Sequence, residues 1–206
     1  MQKVCINSLV ENGSLDSRRY YLARRTVIEM LSDRGYLVPD MDAQLRRSLA
    51  EFRAEFGDHP EADRLRITAH RVSNPSRKTR KQNAVGILSQ IANKERLDKV
   101  ILVVQSKMNS HAQKVLDEYS VKVETFLIAD LLVNISKHFL EPKYEILSPG
   151  EKDTLLKKHA IEDKKLPMML ESDAIARYYG FEKGQVVKVC YAGGIPHSLV
   201  SYRCVV

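Results

Sequence analysis

Lys99-Val100-Ile101-Leu102-Val103-Val104-Gln105 and Val121-Lys122-Val123-Glu124-Thr125-Phe126 bracket a helical segment, and that order decides the fold class. The first run is apolar at five consecutive positions, the mark of a buried strand. Asn109 or Ser110 is placed to cap the intervening helix, whose Ala112, Val115, Leu116 and Tyr119 form its apolar positions. Strand, helix and strand of these lengths predict a parallel βαβ unit. The chain up to about residue 135 is therefore expected to be α/β.

Upstream, Tyr20, Ala23, Val27, Met30 and Leu31 make one helical stripe within Ser17 to Arg34, with Asp16 or Ser17 as the cap and Gly35 as the stop. Residues 1–16 read as a loosely held extension. A second helix carries Leu45, Leu49, Phe52 and Phe56 and closes at Gly57. From 64 to 70 the period changes to two, with Leu65, Ile67 and Ala69 on one face and Arg64, Arg66 and His70 on the other, so a half-exposed strand is expected. Arg71 to Asn83 looks least structured, holding Arg71, Arg77, Lys78, Arg80 and Lys81 and no acidic residue. Ala84 to Ala92 has the makings of a short helix.

Downstream, Ser148-Pro149-Gly150-Glu151 starts a helix: serine at the cap, proline first, glutamate third. It runs to about Lys158-His159, with its cations at the negative end of the dipole. Leu166-Pro167 breaks the pattern. Asp173 to Tyr179 is a short helix stopped by Gly180, and Gln185 to Tyr191 and Leu199 to Val206 form a hairpin. This is a compact helix-plus-hairpin module.

The 206 residues allow one domain or two. With 44% hydrophobic and 29% charged residues, the chain has the composition of a globular protein. No run approaches the roughly 18 apolar residues of a membrane helix. Cys5, Cys190 and Cys204, an odd and scattered set, make no disulfide framework, and the N-terminus lacks a secretory apolar core, so an intracellular, reducing setting is expected. The net charge is +7, of which +5 lies in residues 1–136 and +2 in 137–206. That excess is compatible with a polyanionic partner without establishing one.

No catalytic constellation emerges. Cys190, His197 and Cys204 are spaced more widely than a structural zinc site, which wants four ligands and usually a C-x₂-C element. A metal nuclease would follow Pro39-Asp40 with a nearby Glu-x-Lys. Glu141-Pro142-Lys143 and Glu162-Asp163-Lys164 are far away in sequence, and Lys122-Val123-Glu124 is reversed. Gly193-Gly194 opens no helix and so makes no phosphate loop. The run Arg77-Lys78-Thr79-Arg80-Lys81 leaves three readings open: phosphate contact, nuclear import, or a solvated surface.

Leu166-Pro167, then Asp173-Ala174-Ile175-Ala176-Arg177-Tyr178-Tyr179-Gly180-Phe181-Glu182-Lys183-Gly184-Gln185-Val186-Val187-Lys188-Val189 and Ser201-Tyr202-Arg203, resemble the fifth subunit of eukaryotic nuclear DNA-directed RNA polymerases. The archaeal counterpart of that family is similar to the C-terminal part alone. His138-Phe139-Leu140-Glu141-Pro142 and Leu147-Ser148-Pro149-Gly150-Glu151-Lys152 match the start of the family's assembly domain. Arg34-Gly35-Tyr36, Ile101-Leu102-Val103-Val104-Gln105 and Leu132-Val133-Asn134-Ile135 match its jaw domain. The departures are Ala174 for proline, Tyr144 for histidine and Tyr191-Ala192-Gly193 for an Arg-Pro-Ser-type hairpin start. With Ser17-Arg18-Arg19-Tyr20-Tyr21-Leu22-Ala23-Arg24-Arg25, Asp63-Arg64-Leu65-Arg66-Ile67 and Tyr202-Arg203-Cys204-Val205-Val206, they look like the plant paralogue found in RNA polymerase V. Between Arg77 and Ala84 the family carries a further strand and a longer helix. Here the jaw sheet is shortened or a segment is absent.

The resemblance implies a two-part fold: an extension over 1–16, an α/β jaw domain over 17–140 and a small α+β assembly domain over 141–206. It implies a non-catalytic nuclear subunit without a cofactor, acting in RNA-directed DNA methylation and gene silencing. The assembly domain would dock on the largest subunit, and the jaw would lie beside downstream double-stranded DNA. Arg177, Tyr178, Gly180, Gly184 and Gln185 are candidates for docking, and Arg77, Lys78, Arg80 and Lys81 for proximity to DNA. A subunit shared by polymerases I, II and III, a free interaction module and a metal nuclease are the competing readings.

Overall fold

The computed structural model describes residues 13–71, 74–80, 99–118, 121–162, 165–191 and 199–206. The chain divides into one unit ending at Val133 and a second over Asn134–Val206.

In the first unit, helix α1 spans Leu15–Asp33 and buries Ala23, Val27, Met30 and Leu31, together with Ser17, Thr26 and Ile28. Its cap is Ser14, not Asp16 or Ser17. The Ser14 Oγ accepts from the Asp16 and Ser17 amides. Ser17 is instead fully buried, donating to the Ser14 carbonyl and accepting from Arg53 Nε at 2.9 Å. Gly35, at φ +78°, ends the helix as expected. Strand β1 is Tyr36–Leu37.

The second expected helix is two helices, α2 at Met41–Arg46 and α3 at Leu49–Phe56. Ser48 is the reason. It adopts an extended conformation and forms a reciprocal capping box with Glu51, which starts a new helix instead of continuing the old one. Phe52 and Phe56 are buried as the spacing predicts. The expected strand over 64–70 is likewise corrected: Ala62–Leu65 is a 3₁₀ turn, and strand β2 occupies Thr68–Arg71. Arg24 holds the turn through its bond to the Leu65 carbonyl, 2.8 Å, while Ile67 and Ala69 stay buried.

Strand β3, Asn74–Arg80, replaces the expected unstructured stretch. It pairs antiparallel with β2, with Thr68 opposite Arg80, Ala69 opposite Thr79 and His70 opposite Lys78. Strand pairing consumes backbone groups, so a sequence without apolar alternation can still supply an edge strand. The three-stranded order is β1-β2-β3. The helix expected at Ala84–Ala92 lies outside the described residues.

Strand β4 (Lys99–Val104), helix α4 (Ser110–Asp117) and strand β5 (Lys122–Leu127) form the expected βαβ unit, with β4 and β5 parallel and Lys99 opposite Lys122. Asn109 is the helix cap, its side chain accepting from the Ala112 amide. Val100, Leu102 and Val104 pack with Leu116 of α4 and Val121. Ile101 is equally buried on the opposite face. There the register aligns Ile101 with Glu124, which α1 reaches through Arg34; Tyr20 of α1 meets Gln105 just beyond the strand. Cover on both faces accounts for the unbroken apolar run.

The second unit is a four-stranded sheet, β6-β8-β9-β7, built from β6 (Lys143–Ile146), β7 (Met168–Met169), β8 (Val186–Tyr191) and β9 (Leu199–Val205). The hairpin β8–β9 was expected; the flanking β6 and β7 are additional. Helix α5 (Pro149–His159) covers one face over Val186, Cys204 and Leu166. Helix α6 (Ala174–Tyr179) covers the other over Val187, Val189 and Val205. Neighbouring valines of β8 thus feed opposite cores, as a strand's period of two requires.

Candidate functional site

The C-terminal motif is built chiefly of residues that hold the second unit together. Asp173 caps α6 by accepting from the Ile175 amide at 2.9 Å. Gly180 follows the helix at φ +69°, its amide bonding to the Arg177 carbonyl while the Phe181 amide returns to Ala176. This paired closure requires a left-handed residue, a conformation in which a side chain costs roughly 1–2 kcal/mol. Phe181 and Ala176 both enter the core, so the closure also steers an aromatic ring inward.

Tyr178, a candidate docking residue, is 4% exposed. Its hydroxyl accepts from Asn134 Nδ2 at 3.1 Å, and Asn134 Oδ1 accepts from the Ser136 amide and hydroxyl. Tyr178 therefore ties the first residues of the second unit to α6. Arg177 is half-buried. Gly184, at φ +82°, and Gln185 belong to the turn into β8: the Gly184 amide bonds to Val205 and its carbonyl accepts from Lys152 Nζ. The Gln185 side chain accepts from the Glu182 amide. Of these five positions only Gly184 is exposed, so they share a sequence motif without forming one exposed patch.

An aromatic group stands behind that motif. Tyr179 stacks on Phe181 at 5.4 Å, and Tyr144 approaches both rings. Burial, followed by the 2.7 Å bond to Glu141, pushes the Tyr144 phenol well above its usual range. It is a locked structural phenol, not an acid poised for proton transfer at neutral pH.

Exposed apolar side chains of this unit stand at Phe139 and Leu140, at Leu199 and Val200, and on the edge strand β7. Met168 and Leu170 are 67% and 62% exposed, and Val206 is beside them. Register places Met168 on the same face as Cys204, and hence Leu170 with Val206. Strand β7 is the sheet edge; the Pro167 and Met169 carbonyls accept from the amides of Cys204 in β9 and of Val206 just after it, which turns the Met168 backbone groups outward. Sequence reading missed this surface because Leu166-Pro167 reads as an interruption. The signal was the run Met168-Met169-Leu170, in which only the middle residue is buried.

Arg77, Lys78 and Arg80 lie on β3, at the end of the order β1-β2-β3. Lys81 lies outside the described residues, as do His197 and Gly193-Gly194. The other suggested chemistry separates in space. Cys204 is opposite Val186 and Cys190 opposite Val200, four residues apart along the hairpin or about 13 Å. Glu124 is committed to ion pairs with Arg34 at 2.8 Å and Lys99 at 3.8 Å, which removes it as a free metal carboxylate. Asp40 takes a left-handed conformation at the start of α2, and its carbonyl accepts from the Gln44 amide.

Comparison with known proteins places these features in a lineage. The family profile described as RNA polymerase Rpb5, N-terminal domain, matches residues 14–88, and that described as RNA polymerase Rpb5, C-terminal domain, matches 133–205. The chain is 46% identical to DNA-directed RNA polymerase V subunit 5A of Arabidopsis thaliana over 98% of its own length and 95% of that protein. It is 44% identical to DNA-directed RNA polymerases IV and V subunit 5B of the same plant, covering 99% and 97%. Identity to subunit RPABC1 of DNA-directed RNA polymerases I, II, and III from Caenorhabditis briggsae is 31%, covering 95% and 99%.

Proposed function

The chain belongs to the RNA polymerase Rpb5 family, and from that premise we propose that it is the fifth subunit of a plant RNA polymerase V. The observation carrying this reading is the gap between 46% identity to a polymerase V subunit and 31% to a subunit shared by polymerases I, II and III, each across nearly the whole chain. The work of such a subunit is transcription in the nucleus, serving RNA-directed DNA methylation and silencing. It contributes no nucleotide chemistry of its own.

The second unit is the assembly module and docks on the largest subunit through the β7 edge. Exposed Met168 and Leu170 flank outward-facing backbone groups, which suits an added extended segment of a partner. The first unit lies beside downstream DNA and presents β3, whose Arg77, Lys78 and Arg80 suit phosphate neutralisation.

Affinity purification from plant nuclei with mass spectrometry tests the assignment by identifying the largest subunit that travels with the chain. Recovery of the polymerase V subunit is expected. Recovery of a polymerase I, II or III largest subunit would favour the shared role, and recovery of none would favour a free module. Met168→Asp with Leu170→Asp is expected to cut co-purification at least tenfold while leaving the circular dichroism spectrum intact. Unchanged recovery removes β7 as the docking edge. DNA photo-crosslinking of the assembled enzyme should label residues 74–80; labelling confined to other segments removes that contact.

A further inference from the structure

Three guanidinium groups surround one buried ring in the first unit. Arg24, Arg47 and Arg64 lie 5.5, 5.9 and 5.7 Å from the centroid of Phe56. Beside them a small notch is lined by Tyr21, Arg24, Arg25, Gln44 and Arg47, with the buried Ile28 and Phe52 as its apolar wall. Arg47 pairs with Glu55, and Arg64 donates to the Glu55 carbonyl at 2.7 Å. Arg24 spends two donors on the Leu65 carbonyl and the Gln44 side chain, both at 2.8 Å. Against these guanidinium groups and Arg25 stand two carboxylates, Glu55 in its pair with Arg47 and Glu51, on which the Arg47 charge also acts, so a positive excess remains. Burial, and next the charge of Arg47, hold the Arg24 pKa below its ordinary value. Arg25 lines the same notch from an exposed position on α1.

Two features narrow the ligand. Residues 13–71 contain 11 arginines and no lysine, so every cation in this layer carries the planar fork that matches phosphoryl oxygens. The same segment holds 10 acidic residues, so it lacks the extended basic field that draws a nucleic-acid duplex. The cations gather at one small notch, and the tyrosine that lines it, Tyr21, is half-buried.

We propose that the notch formed by Arg24, Arg25 and Arg47 beside Phe56 recognises one phosphorylated side chain of a partner protein. Arg25 and the unused donors of Arg47 grip the phosphoryl oxygens, while Gln44 and Tyr21 keep Arg24 and Arg47 in place; the Tyr21 hydroxyl donates to the Arg47 carbonyl at 2.9 Å. This contact is independent of the β7 docking edge and of β3, so its failure leaves both of those readings standing.

The test uses the full chain and follows arginine Nε–Hε resonances during titration with a phosphoserine-containing peptide, its unphosphorylated form, inorganic phosphate and a 20-base-pair duplex. Saturable shifts at Arg25 and Arg47 are expected with the phosphopeptide and with phosphate, and none with the unphosphorylated peptide. Arg25→Ala should weaken phosphopeptide binding at least fivefold. Arg18→Ala, an equally exposed change on the same helix, should leave it unchanged. No saturable shift, or equal losses in both variants, overturns the site. Tighter binding of the duplex at the same resonances overturns the protein source and assigns the notch to nucleic acid.

Discussion

Arg34 shows how one position serves three levels of the structure. It ends α1, precedes the glycine that turns the chain into β1, and places its guanidinium against Glu124 with only 5% of its side chain exposed. Removing Arg34 leaves Glu124 largely desolvated with only Lys99, at 3.8 Å, as partner, so Arg34→Ala is expected to cost about 2 kcal/mol in a denaturant melt, less than the roughly 3–5 of an uncompensated buried charge. An accompanying Glu124→Gln change should recover part of that loss. Tyr178 calls for a different experiment. Tyr178→Phe deletes the acceptor for Asn134 Nδ2 and should lower stability by about 1 kcal/mol while leaving recovery of the largest subunit unchanged. Loss of recovery with full stability would make Tyr178 a docking residue after all.

Among the elements, α5 is the one most fully legible in the sequence. Ser148, Pro149 and Glu151 announced it, and both halves of the capping box form: the Ser148 amide donates to Glu151 at 2.8 Å, and the Glu151 amide to Ser148 Oγ at 3.4 Å. The Ser148 hydroxyl, donating to the Glu151 carboxylate at 2.7 Å, and next the Ser148 amide hold the Glu151 carboxyl below its usual range. A depressed carboxyl stabilises the fold above its unfolded pKa, about 4.3, and that contribution is lost as pH falls through the lower folded value. The protection of amides in the first turn of α5, measured relative to their intrinsic exchange rate, is therefore expected to fall below about pH 4. In Glu151→Gln that pH-dependent fall should be absent; an identical pH profile would remove the link. The capping box of α3 was present in the sequence just as plainly, yet the apolar spacing of Leu45, Leu49, Phe52 and Phe56 ran across it and suggested one helix. Local capping chemistry won because Arg47 and Ser48 are extended. Strand β3 was illegible for a deeper reason: its pairing with β2 is made by backbone groups, which the side chains do not announce. The βαβ unit was readable because burial on both faces of β4 leaves five apolar residues in a row. The motif residues of the candidate docking surface were visible too, but sequence could not separate those that shape the unit from those that face outward.

At the scale of the whole chain, each unit has its own core: Val100, Leu102, Val104, Leu116 and Val121 in the first, and the two sides of the β6–β9 sheet in the second. Two calorimetric transitions are expected in consequence, and Arg34→Ala should lower only one of them. A single transition that shifts as a whole would show the units to be one cooperative block. The arginine-only layer of α1, α2 and α3 also has a chemical consequence. Residues 13–71 offer no ε-amine, so acetyl and ubiquityl transfer to lysine, and cross-linkers that react with primary amines, have no target there. A proximity map of the assembled enzyme made with such reagents would leave this layer blank however closely it were covered, and a guanidinium- or carboxylate-directed reagent would be needed to see what touches it.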